Sequence, residues 1–111
     1  MVKISARRIG KTAILDISGD IDLAHSSEVR RMVLVEFREN RTSKVILNLL
    51  EVNYIDSSGV ASLLEGLKAS QDVGSRLILF GLSPIANEVL QLSRLLNVFE
   101  IYDSESLALE A

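Results

Sequence analysis

Residues 53–68, NYIDSSGVASLLEGLK, place one carboxylate, two hydroxyls and a glycine between two apolar runs. Asp56, Ser57, Ser58 and Gly59 are residue types that can cap a helix, attack a substrate or accept a chemical group. Capping needs only a short side-chain acceptor ahead of a helix, and most strings of this kind do nothing more. Attack needs a base within hydrogen-bond reach of the serine and a third group to orient that base. The chain has one histidine, His25, which precedes the first predicted helix and reads as a solvated residue near its start. A nucleophile elbow would require Gly-x-Ser-x-Gly, whose first glycine is missing here. Lys68 lies about three turns from Ser57, too far for a Ser–Lys pair, and no Gly-rich loop followed by Lys offers a phosphate cradle. Enzyme chemistry therefore fails on inventory, and no catalytic residue is assigned. A hydroxyl presented for modification remains beside the capping role.

The composition narrows the partners. The 111 residues suffice for one domain with a single core, and 48% hydrophobic content argues against disorder. Aromatics make up 5% with no Trp, so the core is aliphatic and stacking platforms for single-stranded nucleic acid are lacking. A net charge of −3 offers no basic face for a phosphate backbone; Arg7, Arg8 and Lys11 read as a solvated hairpin edge. With no cysteine and one histidine, disulfides, thiolate metal sites and histidine metal clusters are excluded, and no cofactor is expected. No apolar run reaches the roughly 18 residues of a membrane span, and no signal peptide opens the chain. The expectation is a cytoplasmic single domain, residues 1–111, without nucleic-acid binding or membrane insertion.

Periodicity supplies the elements that must position the motif. VKISARR and TAILDISG alternate apolar and polar residues around a Gly-containing turn, the pattern of an antiparallel hairpin. A helix follows, with Leu23, Val29, Met32, Val33 and Phe37 on its apolar side, Asp22 as cap, and Arg30, Arg31, Glu36 and Arg38 facing water. KVILNLL reads as a strand buried on both faces. Beyond Gly59, Val60, Leu63, Leu64 and Leu67 mark a second helix, with Glu65 and Lys68 as surface charges and Tyr54 packed beneath its start. SRLILFG is another buried strand. Ser83 caps a third helix that has Pro84 at its first position. VFEIY reads as a short edge strand and DSESLALEA as a last helical turn or two. This order predicts an α/β domain: a mostly parallel sheet of 4–5 strands, an antiparallel N-terminal edge hairpin, and helices mainly on one face.

On that map the motif lies where a buried strand hands over to a helix, a position at which ligands and partners meet open α/β sheets. A phosphoryl group on a serine there adds about −1.5 to −2 charges. The free amides and the helix dipole accommodate it, so the modified domain stays folded and the effect falls on a partner. Gly59 is read as leaving room for that partner's approach. Spacing alone does not separate Ser57 from Ser58 as acceptor.

Three segments resemble the STAS domain family, specifically its stand-alone bacterial anti-sigma factor antagonists. ILDISGDIDL (14–23) is similar to the family's second strand and the Gly-x-(Leu/Ile)-Asp that follows it. VILNLLEVNYIDSSGVASLL (45–64) is similar to the buried strand, loop and Asp-Ser-Ser-Gly helix start. LILFGLSPIANEVLQLSRLLNVFEIYDS resembles the final strand, helix and edge strand. The resemblance implies a STAS-like fold and a protein-binding switch that binds a serine kinase acting as anti-sigma factor when unphosphorylated. Phosphorylation of Ser57, with Ser58 as the alternative acceptor, would release it, and a phosphatase is a further candidate partner. Asp22, Asp56, Ser57, Ser58 and Gly59 would form the partner-binding surface. Asn48 departs from the Asp carried by many members. The alternative implied function is a constitutive adaptor of a membrane lipid transporter or stress-signalling scaffold; self-association is left open.

Overall fold

The computed structural model describes residues 2–111. β1 (Val2–Ile9) and β2 (Thr12–Ile21) form the antiparallel hairpin, turning at Gly10, whose φ of +61° suits glycine. α1 (Ser26–Arg38), β3 (Lys44–Ile55), α2 (Ser57–Asp72), β4 (Arg76–Phe80), α3 (Pro84–Leu92), β5 (Glu100–Tyr102) and α4 (Glu105–Glu110) complete the chain. The five strands lie in the order β1-β2-β3-β4-β5, parallel from β2 onward. The α/β architecture expected from periodicity is observed.

The core follows from strand alternation. Val45, Leu47 and Leu49 of β3 pack with Leu15, Ile17, Leu77 and Leu79 against Val29, Val33, Phe37, Leu63 and Leu90 of α1–α3. The intervening Ile46 joins Ile14, Ile78 and Phe80 on the opposite face, beneath Ala108 of the short α4. Three helices thus cover one face and α4 part of the other.

The structure departs from the sequence reading in ways that shape the site. β3 continues to Ile55, where a loop was expected after residue 50, because its pairing with β2 carries two irregularities. Asp16 pairs with Asn48 but Ser18 with Glu51, and Gly19 pairs with Val52 but Asp20 with Tyr54. Each bulge adds one residue to β3, so its inward positions become Leu49, Val52 and Ile55, all buried. The shift turns Tyr54 outward, 47% exposed, instead of beneath the helix. Gly19, at φ +102°, supplies backbone freedom at one bulge.

The hairpin arginines are exposed, as expected of a solvated edge, and they also clamp neighbouring elements. Arg7 forks onto Asp16 (2.6 and 2.8 Å) and reaches Glu105 of α4 (2.5 Å). Arg8 reaches Glu36 from the other face (2.7 and 2.8 Å). Glu36, expected to face water, is 4% exposed and also accepts from Asn40 (3.2 Å) and Thr42 (2.6 Å). Asn48 donates to Asp16 (2.7 Å) and accepts from the Leu50 amide (3.1 Å), a local structural role.

Hydrogen bonds from Arg7, opposed by desolvation and aided by Asn48, hold the Asp16 carboxyl below its usual range. A depressed folded value stabilises fully above the unfolded pKa, about 3.9, and fades as pH falls through the folded value. Urea midpoints measured from pH 6 to pH 2 should therefore decline below about pH 4, and Asp16→Asn should flatten part of that decline.

Candidate functional site

The end of the β2–β3 pair gathers the polar motif. Parallel pairing sets Asp20 beside Tyr54 and Ile21 beside Ile55, and the Asp56 amide then donates to the Ile21 carbonyl (3.4 Å). Asp56 turns the chain into α2 as its N-cap, in extended backbone. One carboxylate oxygen accepts from the Gly59 amide (3.0 Å), satisfying a donor that the helix leaves unpaired. The other accepts from the Leu23 amide (3.1 Å) in the β2–α1 connection. One side chain therefore fixes two segments at the sheet end.

Ser57 is the first residue of α2 and is exposed; Ser58 is half-buried. The helix starts at Ser57 itself, three residues before the apolar periodicity begins at Val60. The Ser58 carbonyl and the Ser26 carbonyl of α1 each lie 3.1 Å from the buried Ser62 hydroxyl, which joins the two helices behind the site. Ser62 escaped the sequence reading because its partner is 36 residues away, although a serine inside an apolar helical stripe was a signal.

Gly59 faces inward. A Cβ there would lie 2.2 Å from the Ile21 carbonyl oxygen and 2.7 Å from Ile55 Cγ1. Its bare backbone thus lets α2 approach β2, which replaces the expectation that it clears a path for a partner.

Asp22 is not the cap of α1. His25 occupies that position without a side-chain cap bond, and α1 begins at Ser26. The Asp22 carboxylate instead accepts from the His25 amide (3.0 Å) and lies 2.7 Å from His25 Nδ1, closing a turn before the helix. Desolvation pushes this carboxyl upward, but His25 and the Ala24 and His25 amides together bring it below its usual range. Leu23, expected in the core, is 78% exposed beside this turn. The surface at the start of α2 therefore combines Asp22 and Asp56 with exposed Leu23, while Asp20 and Tyr54, next to inward Ile21 and Ile55, turn to the other face of the sheet. Ser83 and Pro84 cap α3 as expected, Ser83 Oγ accepting from the Ala86 amide (3.2 Å).

Among the described residues no group of three or more His, Cys, Asp or Glu is arranged to hold a metal, and no helix is long and apolar enough to cross a membrane. The sheet end places an exposed serine at the start of a capped helix.

A model of the STAS domain matches residues 3–108. The chain belongs to the STAS domain family. This STAS domain is 30% identical over 97 residues to the anti-sigma F factor antagonist of Paenibacillus polymyxa, covering 86% of this chain and 82% of that protein. An anti-sigma factor antagonist from Mycobacterium paratuberculosis superposes with a TM-score of 0.87 at 14% identity, covering 99% of this chain and 92% of that one. The Bacillus cell fate determinant SpoIIAA matches in its phosphorylated form with a TM-score of 0.75 at 22% identity, over 97% of each chain. Its unphosphorylated form gives the same TM-score at 21% identity, over 97% of this chain and 96% of that one.

Removing the Asp56 carboxylate strands the Gly59 and Leu23 amides together. Asp56→Ala should cost about 1–2 kcal/mol, a drop of roughly 5–10 °C in melting temperature. Faster amide exchange should appear at Leu23 and Gly59 before it appears in β3.

Proposed function

We propose that this STAS domain is an anti-sigma factor antagonist that binds a serine kinase acting as anti-sigma factor, and that phosphorylation of Ser57 releases it. The observation that carries this reading is the exposed Ser57 at the first position of a 16-residue helix, fixed by the Asp56 cap. Half-buried Ser58 sits behind it and is the lesser acceptor. Asp22, Asp56 and the exposed Leu23 flank the hydroxyl as the docking surface, while Gly59 contributes by letting α2 approach β2.

The physics of the switch runs through the partner. A dianion on Ser57 meets the positive end of the α2 dipole and its free amides, so it does not break the helix. The surface it joins already holds Asp22 and Asp56. A partner packed there must desolvate the added charge, at a cost of several kcal/mol, and about 1.4 kcal/mol is a factor of ten in affinity. That the chain's fold matches both forms of SpoIIAA equally well supports a switch that leaves the fold in place.

The test is peptide mapping after incubation with the cognate kinase and ATP. One phosphate per chain on Ser57, lost in Ser57→Ala and kept in Ser58→Ala, is the expected result. Phosphate on Ser58, or none in the unaltered chain, would overturn the assignment.

A further inference from the structure

β1 is an outer strand of the sheet, with β2 as its neighbour. It pairs with β2 without a bulge, from Val2 opposite Gly19 to Ile9 opposite Thr12. Gly10 and Lys11 make a two-residue turn, and the Lys11 carbonyl accepts from the Ser43 and Lys44 amides on the β3 side. The carbonyl and amide of one peptide point opposite ways, so the Thr12 amide turns toward β1. Alternation then aims the backbone groups of Lys3, Ser5, Arg7 and Ile9 at β2, and those of Ile4, Ala6 and Arg8 outward. Among the described residues, these outward amides and carbonyls have no hydrogen-bond partner.

An open edge templates pairing with another chain, and proteins blunt it with proline, bulges, short strands or outward charges. β1 runs for eight residues with no proline and no bulge. Its arginines are drawn inward, Arg7 onto Asp16 and Glu105 on one face and Arg8 onto Glu36 on the other. Among the described residues, Lys3 is the one β1 cation without an ion pair. The opposite edge, β5, is only three residues long.

We propose that this edge is a self-association surface, at which β1 of a second copy adds antiparallel and joins the two sheets across a two-fold axis. The occupant is a second copy because the strand complements itself. An axis at Ala6 sets Ala6 against Ala6, Ile4 against Arg8, Ser5 against Arg7 and Lys3 against Ile9 of the second copy. Small side chains meet at the axis, no two cations face each other, and about six backbone hydrogen bonds form. An axis at Ser5 would face Lys3 with Arg7, and one at Arg7 would face two arginines, like-charge pairs that disfavour both. An axis at Ile4 leaves Arg8 outside a shorter ladder. An interface built on one strand pair is small, so the dimer forms reversibly. It does not involve α2 and is independent of the reading of Ser57.

Sedimentation equilibrium of the unaltered chain should show monomer giving way to dimer as concentration rises through the micromolar range. Amide exchange at Ile4, Ala6 and Arg8 should slow in step. Ala6→Pro removes an outward amide without costing a bond to β2, at an edge where proline is tolerated. This variant should keep the fold and dimerise at least tenfold more weakly. Ile9, 54% exposed, tests the register through its side chain. Ile9→Glu, facing Lys3 of the second copy, should dimerise at least threefold more tightly than Ile9→Lys. Four outcomes would overturn the proposal: an unaltered chain that stays monomeric, a folded Ala6→Pro that dimerises normally, an Ala6→Pro that unfolds because its amide serves the chain itself, or two Ile9 variants that dimerise equally.

Discussion

Ser57→Asp is expected to weaken binding to the kinase at least tenfold while leaving the melting temperature equal or slightly higher. The two halves of this result have one cause. A carboxylate at the first position of α2 lies in the field of the helix amides, which favours it by about 0.3–1 kcal/mol. The same charge on the exposed surface beside Asp22 and Asp56 must be desolvated or repelled when a partner packs there. Aspartate carries one charge where a phosphoryl group carries nearly two, so true phosphorylation should have the larger effect. Calorimetric titration against the kinase, paired with thermal melting, separates this from unfolding. A variant that melted several degrees lower would show that Ser57 serves the fold.

Gly59→Ala should have the largest effect on stability of any single methyl added at the site. Alanine is normally preferred to glycine within a helix by about 1 kcal/mol. Here the new methyl would meet the Ile21 carbonyl oxygen at 2.2 Å and Ile55 Cγ1 at 2.7 Å. Backbone cannot step aside as a side chain can, so α2 must move away from β2. We expect a net loss of about 2–3 kcal/mol, measured as a lowered urea midpoint. Gly66 provides the internal comparison: a Cβ there meets Val33 Cγ1 at 2.9 Å and Leu77 Cδ2 at 3.4 Å, which are methyl groups that can rotate. Gly66→Ala should be clearly milder. Equal losses at the two sites would contradict the view that Gly59 secures helix–strand contact.

Much of this arrangement was legible because it is local. Period-2 alternation identified the hairpin, unbroken aliphatic runs marked the two-faced strands, and Ser83-Pro84 announced its helix. Asp56, Ser57, Ser58 and Gly59 were found together because capping chemistry is written in consecutive residues. What was missed depends on distant pairing. The two bulges reset β3 to a spacing of three, so Leu49, Val52 and Ile55 did not look like one strand. Glu36 looked like a surface residue because Arg8 and Thr42, which hold it inside, lie in other parts of the chain. Leu23 fell on the apolar helical period but lies before α1 begins, where Asp56 accepts from its amide, Asp22 accepts from the His25 amide, and its side chain is left in water. That exposed Leu23 is the apolar part of the proposed docking surface.

The most direct measurement follows the purified complex with the cognate kinase after ATP is added. With the unaltered chain, the complex should dissociate as one phosphate per chain accumulates at position 57. With Ser57→Ala, it should form with similar affinity and persist. Release of both chains at the same rate, or persistence of both despite complete phosphorylation of the unaltered one, would contradict a switch operated through this hydroxyl.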